Sequence, residues 1–138
     1  NYSYNKNDNS TWVSRNMIIT GLMILLFICL HFYDFWFPEI NTKFIKGDWT
    51  GMHHGELRYY EELQIKFTDL WRVILYVLSF VFLSLHLQHG FQSSFQSVGV
   101  RNTTITPKLK KISLLYAVLV PAGFIFIALY HYIIQLTI

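Results

Sequence analysis

Charged residues are scarce in this 138-residue sequence: Lys, Arg, Asp and Glu make up only 14% of it, whereas about a quarter is usual in soluble domains. That scarcity excludes an ordinary soluble globular domain. The net charge is +3 without a dense Lys/Arg tract, so we expect no nucleic-acid partner. One cysteine, Cys29, allows no internal disulfide. A phosphate-binding loop, a Cys-x-x-Cys pair and a Ser/His/Asp arrangement with usable spacing are also missing from the sequence.

Apolar residues, in contrast, are abundant at 53%, and 18% of the chain is aromatic. They concentrate in three windows, Met17–Phe37, Leu70–Leu87 and Ile112–Ile134. Each window can cross a hydrocarbon core of about 30 Å at about 1.5 Å per helical residue. We therefore predict an all-α integral membrane protein with three transmembrane helices.

The windows divide the chain into six segments. Pro38 is expected to end the first helix and Pro121 to kink the third. Arg58–Lys66 is predicted as a short interfacial helix, and Ser10, Thr11 or Ser14 as the cap of the first span. The opening is polar, begins with Asn, and we expect no signal peptide in it. The predicted segments are an N-terminal loop (1–15), a first span (16–37), an outer loop (38–69), a second span (70–99), an inner connection (100–111) and a third span (112–136).

Basic residues flank the spans unevenly. The N-terminal flank and the inner connection carry six Lys/Arg residues against one Asp, while the long outer loop balances its cations with six carboxylates. By the positive-inside rule, we place the N-terminus inside and the C-terminus outside.

His86 lies inside the second apolar run, close to its polar end. An imidazole at that depth needs a partner, and an iron atom is a good one. A hydrogen bond to a neighbouring helix is the alternative. Ser79, Gly90 and Ser93 or Ser97 share a helical stripe with His86, which provides either a groove for a flat macrocycle or a close helix–helix contact.

His31 lies in the first span, three residues before Asp34, so the two share a helix face. Either Asp34 accepts a hydrogen bond from the His31 ring, as carboxylates do beside ligating histidines, or it lies in the headgroup layer. Counted from the inner edge, His31 is roughly 22 Å deep and His86 roughly 8–12 Å. Since the depths differ by about 10 Å or more, we expect each histidine to serve a different haem. Each iron then needs a second ligand from elsewhere.

Three further histidines are weaker candidates. His53 and His54 are adjacent in the loop, where a metal site would need additional ligands. His131 stands between Tyr130 and Tyr132 near the end of the third span, which is typical of an interfacial aromatic belt, with metal ligation as the alternative.

Three stretches of the sequence resemble one known family. They are WVSRNM at the start of the first span, LHFYDFW near its end, and HLQHGFQSSFQSVG at the end of the second. They are similar to the cytochrome b subunit of succinate dehydrogenase/fumarate reductase, in the single-subunit, two-haem form common in Bacteroidetes-type bacteria. That family has five transmembrane helices, and this chain resembles the last three, so the resemblance implies part of a haem-binding helix bundle.

The resemblance also implies site residues. It makes His31 the ligand of the haem b nearer the outer face and His86 the ligand of the one nearer the inner face, with Gly90 four residues beyond. His89 would hold a propionate or face the quinone. Further inner-face propionate partners and quinone-binding residues are implied as follows: Ser14, Arg15, Arg101 and Lys108 for propionates; Gln92, Ser93 and Gln96 for quinone.

The function implied by this resemblance is that of a membrane anchor. Such a subunit holds the flavoprotein and iron–sulfur subunits at the membrane and passes electrons between iron–sulfur clusters and quinone through haem b. Succinate chemistry belongs to the flavoprotein, and a second membrane chain would supply the missing helices and histidines. We expect the bacterial cytoplasmic membrane, with the mitochondrial inner membrane as the alternative. The alternative function is a haem-free structural membrane subunit of a respiratory complex.

Overall fold

Three long helices dominate the computed structural model, which describes residues 7–99 and 105–138, with side chains from residue 15 onward except that of Gln96. They are α1 (Asn7–His31), α4 (Leu70–Ser97) and α5 (Ile105–Thr137). The segments Arg15–Ile45, Leu70–Phe95 and Ile105–Thr137 are long and apolar enough to cross a membrane. The prediction of an all-α membrane protein with three candidate spans is therefore confirmed.

Helix α1 begins earlier than predicted. Residues 7–14 are helical, so the N-terminal loop prediction is wrong for them, and Ser10, Thr11 and Ser14 lie inside the helix instead of capping it. The sequence NDNSTWVS has no Gly or Pro to interrupt a helix. Residues 1–6 lie outside the described part of the chain.

Helical structure also continues past Pro38, where we expected it to stop. A π-helical turn, Phe32–Trp36, leads into α2 (Phe37–Ile40), and a second π-helical turn follows at Asn41–Ile45. In a π turn the backbone hydrogen bonds span five residues, and this widening comes just before the proline, which has no N–H to donate. The first helical segment thus extends eight residues beyond the predicted end of the span.

The rest of the segment predicted as an outer loop contains regular secondary structure. Strands β1 (Met52–His53) and β2 (Glu56–Leu57) form an antiparallel hairpin, followed by α3 (Arg58–Lys66) as predicted. The two turn residues, His54 and Gly55, both have positive φ (51° and 88°). That combination is the geometry of a two-residue hairpin loop, which suits the twist of the strands.

The long helices are divided between two structural units. The first contains α1 up to Ile24, α4 from Ser79 and α5 up to Gly123, and the second contains residues 25–78 and 124–138. In the first unit, the Ser84 hydroxyl of α4 donates a hydrogen bond to the Ala117 carbonyl of α5 over 2.8 Å. Helix α5 runs through Pro121 without interruption.

In the second unit the buried apolar residues are Phe67, Val73, Tyr76 and Ala128. Tyr76 lies at the centre of an aromatic cluster, with ring centroids 5.2 Å from Phe27 and 5.1 Å from Phe67. Gln135 of α5 donates a hydrogen bond to the Gln64 carbonyl of α3 over 2.7 Å. Most large apolar side chains on the long helices are exposed, as expected for surfaces that face lipid or other transmembrane helices.

Candidate functional site

In the first unit, His86 is held by Thr20 of α1. The His86 Nδ1 atom lies 3.1 Å from the Thr20 hydroxyl, which is itself 2.9 Å from the Asn16 carbonyl and 3.1 Å from the Met17 carbonyl. Thr20 is only 6% exposed. A hydroxyl has one hydrogen and two lone pairs, so a Thr20 hydroxyl that donates to its own helix accepts from Nδ1–H. This arrangement favours the His86 tautomer with an unprotonated Nε2.

Nothing in the sequence directly indicated that Thr20 contacts His86. Its position in an apolar span could have suggested a contact, because a Thr there bonds either its own helix or a neighbouring one. Thr20 does both.

The glycines beside His86 bring α1 and α4 close together. A Cβ added to Gly21 would lie 3.4 Å from the His86 Cε1 atom, and one added to Gly90 would lie 3.8 Å from the Met17 side chain. Of the two interpretations of the small-residue stripe, these contacts favour the close helix–helix contact. Ser93 and Ser97 on the same stripe are exposed.

A groove between α4 and α5 is lined by three of the polar residues that follow His86, namely Gln88, His89 and Gln92. Its volume is about 310 Å³. Within the described part of the chain, the buried Nδ1 atom of His89 has no hydrogen-bond partner. Ser93 does not line this groove, and the Gln96 side chain lies outside the described residues.

The basic residues expected at haem propionates are placed only in part. The side chains of Arg15 and Lys108 are exposed in the first unit. The Ser14 side chain and all of Arg101 lie outside the described residues.

His31 belongs to the second unit, where its side chain is exposed among aromatic rings. Its ring centroid lies 5.2 Å from that of Phe35, 5.8 Å from Phe27 and 6.4 Å from Tyr76. An open groove of about 310 Å³ lies beside it, with aromatic walls and two carboxylates; its lining residues are His31, Phe32, Phe35, Trp36, Glu39, Tyr59 and Glu62.

Asp34 does not serve His31 as predicted. Its carboxylate is 1% exposed and is bound by Arg72, by the Tyr76 hydroxyl at 3.0 Å and by Lys66 at 3.7 Å. The π-helical turn at Phe32–Trp36 contains Asp34 as its buried residue. The alternative, a position in the headgroup layer, stays a prediction; in the structure the carboxylate is enclosed by protein and paired with cations, which satisfies its buried charge. The sequence feature that could have predicted this ion pair is Arg72, the one charge in its apolar run.

A second charged cluster ties the segment before the hairpin to α3. Arg58, 7% exposed, binds Glu39 and Glu62 and lies 3.3 Å from the Thr42 hydroxyl. Tyr59 also donates to Glu39, over 2.8 Å. Burial opposes the charge of the guanidinium, but the hydrogen bond to Glu39 and the charges of Glu62 and Glu39 raise the pKa of Arg58 above its usual value. The sequence predicted Glu39 in the outer loop and Arg58–Lys66 as an interfacial helix, but it did not predict the contacts between them.

Each of the other histidines contacts one or two neighbouring side chains. His53 Nδ1 lies 3.2 Å from a Glu61 carboxylate oxygen, and the His53 and His54 rings are 4.1 Å apart. His131 contacts the rings of Tyr60 and Tyr130 at 5.8 and 5.5 Å. Over residues 7–99 and 105–138, no three His, Cys, Asp or Glu side chains are grouped so that they could hold a metal ion.

The fold and these contacts define the class of the chain as an all-α membrane protein with three candidate spans. Comparisons with protein-family models, curated proteins and solved structures found no match.

Proposed function

We propose that the chain is a membrane-anchor cytochrome b subunit of the succinate dehydrogenase/fumarate reductase family. It holds a flavoprotein and an iron–sulfur subunit at the membrane and takes part in electron transfer to or from quinone through haem b. The observation that carries the proposal is the hydrogen bond between Thr20 and His86. The three family-like stretches of sequence support it, and the bacterial cytoplasmic membrane is its proposed location.

The chemistry of His86 suits an axial ligand. Ligating histidines bind iron through a neutral ring nitrogen, while the other nitrogen donates a hydrogen bond that fixes the tautomer and ring orientation. Thr20 provides such an acceptor at Nδ1. Among the described residues, the structure gives His86 Nε2 no hydrogen bond, so its lone pair is available. Haem b, when bound, supplies reversible one-electron oxidation of iron.

His31 fits a ligand less completely. Its ring is exposed beside an aromatic-walled groove, which suits the edge of a macrocycle, but no described residue accepts a hydrogen bond from the ring. We assign it to the second haem. A second membrane chain would supply the other iron ligands, and the exposed apolar faces of the three helices leave room for its packing.

A haem-free structural subunit is the second candidate. It is favoured by the contact of Gly21 with His86 and of Gly90 with Met17, because these fill the space beside the histidine with protein. The buried Asp34–Arg72 pair serves a purely structural subunit equally well.

The test is a reduced-minus-oxidised absorption spectrum of the chain purified from its native membrane with all co-purifying subunits. The proposal expects b-type Soret and α bands. His86→Ala and His31→Ala should each remove part of the signal, whereas His131→Ala, a matched histidine substitution, should leave it unchanged. A preparation without haem bands supports the structural subunit instead.

A further inference from the structure

The groove between α4 and α5 combines one charged end with apolar walls. Lys110 of α5 lies on one side, His89 and Gln92 of α4 lie on the other, and three apolar side chains complete it: Phe91, Phe95 and Leu114. Gln88 also lines the groove but already donates a hydrogen bond to Ser84, over 3.2 Å. The unassigned polar groups that meet here are therefore a cation, an amide and an imidazole.

Besides the shape and lining of the groove, the state of the His89 side chain also points to a ligand. Its Nδ1 atom is buried, and within the described residues it has no hydrogen-bond partner. A buried polar atom without a partner costs free energy that a bound acceptor or donor would recover. Since His89 also lines the groove, a ligand bound there lies beside the residue that carries this unpaired atom.

The charge around the groove has one sign. Residues 15–24, 79–99 and 105–123 contain no Asp or Glu, but they contain Arg15, Lys108, Lys110 and Lys111. No described carboxylate forms an ion pair with any of these cations. The occupant that neutralises this end of the unit is therefore an anion.

The position of the groove identifies the source of the anion. Lys110 lies five residues after α5 begins and His89 lies eight residues before α4 ends, so the groove is at the polar end of both candidate spans. Basic residues at that end belong to the membrane face that carries anionic lipid. The groove volume of about 310 Å³ is roughly ten times the ~30 Å³ that a water molecule occupies in the liquid, which is room for a phosphodiester headgroup.

We propose that this groove binds the headgroup of an anionic phospholipid. Lys110 pairs with the phosphate, His89 and Gln92 donate hydrogen bonds to its oxygens, and Phe91, Phe95 and Leu114 contact the glycerol and the start of the acyl chains. This proposal gives His89 and Gln92 to lipid in place of the quinone or propionate role that the resemblance implies for them. The site does not depend on haem, so absence of lipid binding and absence of haem bands are separate outcomes.

The test counts lipids bound to the full chain, with any co-purifying subunits, by native mass spectrometry from neutral detergent micelles. Phosphatidylglycerol is titrated against zwitterionic phosphatidylcholine, and inorganic phosphate serves as a competitor. We expect one phosphatidylglycerol to bind more tightly than any phosphatidylcholine, and inorganic phosphate not to displace it.

The variants distinguish specific binding of a headgroup in the groove from general electrostatic attraction of anionic lipid to nearby basic residues. Lys110→Gln should weaken phosphatidylglycerol binding about fivefold, the typical effect of one cation beside an anionic headgroup. His89→Phe should weaken it further, because it keeps an aromatic ring but removes both ring nitrogens. Lys111→Gln removes the same charge from a residue outside the groove and should change binding less than twofold. Equal losses in the two lysine variants, equal binding of the two lipids, or displacement by phosphate would each overturn the proposal. Circular dichroism checks folding, and Lys110 is exposed, so its variant remains informative.

Discussion

The Ser84 hydroxyl donates its hydrogen bond to the Ala117 carbonyl, the one carbonyl of α5 that Pro121 leaves without a helical donor. A proline has no N–H, so the carbonyl four residues before it loses its partner. In a transmembrane helix such a carbonyl must find another donor, because the hydrocarbon offers none. Ser84, on the neighbouring helix, provides it at a position where Ala117 and Pro121 are both fully buried.

The first prediction concerns this pair. Ser84→Ala should destabilise the chain by about 1–2 kcal/mol, the upper range for interhelical hydrogen bonds in membranes. In a Pro121→Ala background, the same substitution should cost much less, because an alanine at that position restores the helical N–H donor. Denaturation of the protein in detergent micelles, followed by circular dichroism, measures both differences. Ser94→Ala is the control, since the Ser94 hydroxyl, among the residues that the structure describes, donates to the Phe91 carbonyl of its own helix. An equal cost of Ser84→Ala in both backgrounds would show that the hydroxyl acts otherwise.

The second prediction concerns Asp34. Asp34→Asn removes the charge that Arg72 and Lys66 share and should destabilise the protein by about 3–5 kcal/mol, the usual cost of breaking a buried ion pair. The double variant Asp34→Asn/Arg72→Met should recover most of that loss, because it leaves only Lys66 without its anion. Micelle denaturation is again the measurement. If the double variant is as unstable as Asp34→Asn alone, the pair is not the source of the effect.

Tyr76→Phe is a milder test of the same cluster. It removes only the hydroxyl that donates to Asp34 and keeps the ring that packs against Phe27 and Phe67. We expect a loss of about 1.5–3 kcal/mol, the range for a hydrogen bond to a charged group. A loss as large as that of Asp34→Asn would instead assign the cluster's stability to the hydroxyl.

The third prediction concerns Thr20 and the tautomer of His86. In the chain without haem, ¹⁵N NMR of His86 should show the hydrogen on Nδ1, and Thr20→Val should abolish that preference because valine has the same shape but no acceptor. Thr20→Ser should preserve it. If haem is present, Thr20→Val should also weaken its retention about 10–100-fold, as loss of a ligand's hydrogen-bond partner usually does. A tautomer that is unchanged in Thr20→Val would remove the structural basis for His86 as a ligand.

The fourth prediction compares two cations that bind the same carboxylate. Arg58 is buried and binds Glu39 and Glu62. Arg58→Gln should cost about 1.5–3 kcal/mol, the range for hydrogen bonds to charged groups, because Glu62 loses its cation while Glu39 keeps Lys43. Lys43 also binds Glu39, at 2.6 Å, but its side chain is 29% exposed. Lys43→Gln should therefore cost less than about 1 kcal/mol. Similar losses would show that the two ion pairs contribute equally in spite of their different burial.

The pattern of apolar windows was sufficient to predict the number and type of the main helices. It also predicted Arg58–Lys66, because a polar stretch of good helix formers precedes a span. The prediction failed at both ends of the first span. Residues 7–14 lack apolar periodicity yet extend α1, and Pro38 is passed by a π-helical turn whose formation depends on backbone geometry that composition does not report.

For the candidate site residues too, the sequence predicted which residues matter but not which partners they contact. Sequence spacing placed His31 and Asp34 on one helix face. It could not show that the Asp34 carboxylate is instead bound by Arg72, Tyr76 and Lys66. It singled out His86 as an imidazole in need of a partner, but Thr20 lies 66 residues away in the chain. The haem ligand assignments remain predictions.

By itself, the sequence determined that this protein has three membrane-length helices, because apolar length and the scarcity of charge depend only on composition along the chain. Only the tertiary structure decided which polar groups inside those helices satisfy one another: Thr20 with His86, Ser84 with Ala117, and Asp34 with Arg72. The reason is that a buried polar group must find a partner in space, and partners on different helices have no fixed separation in sequence.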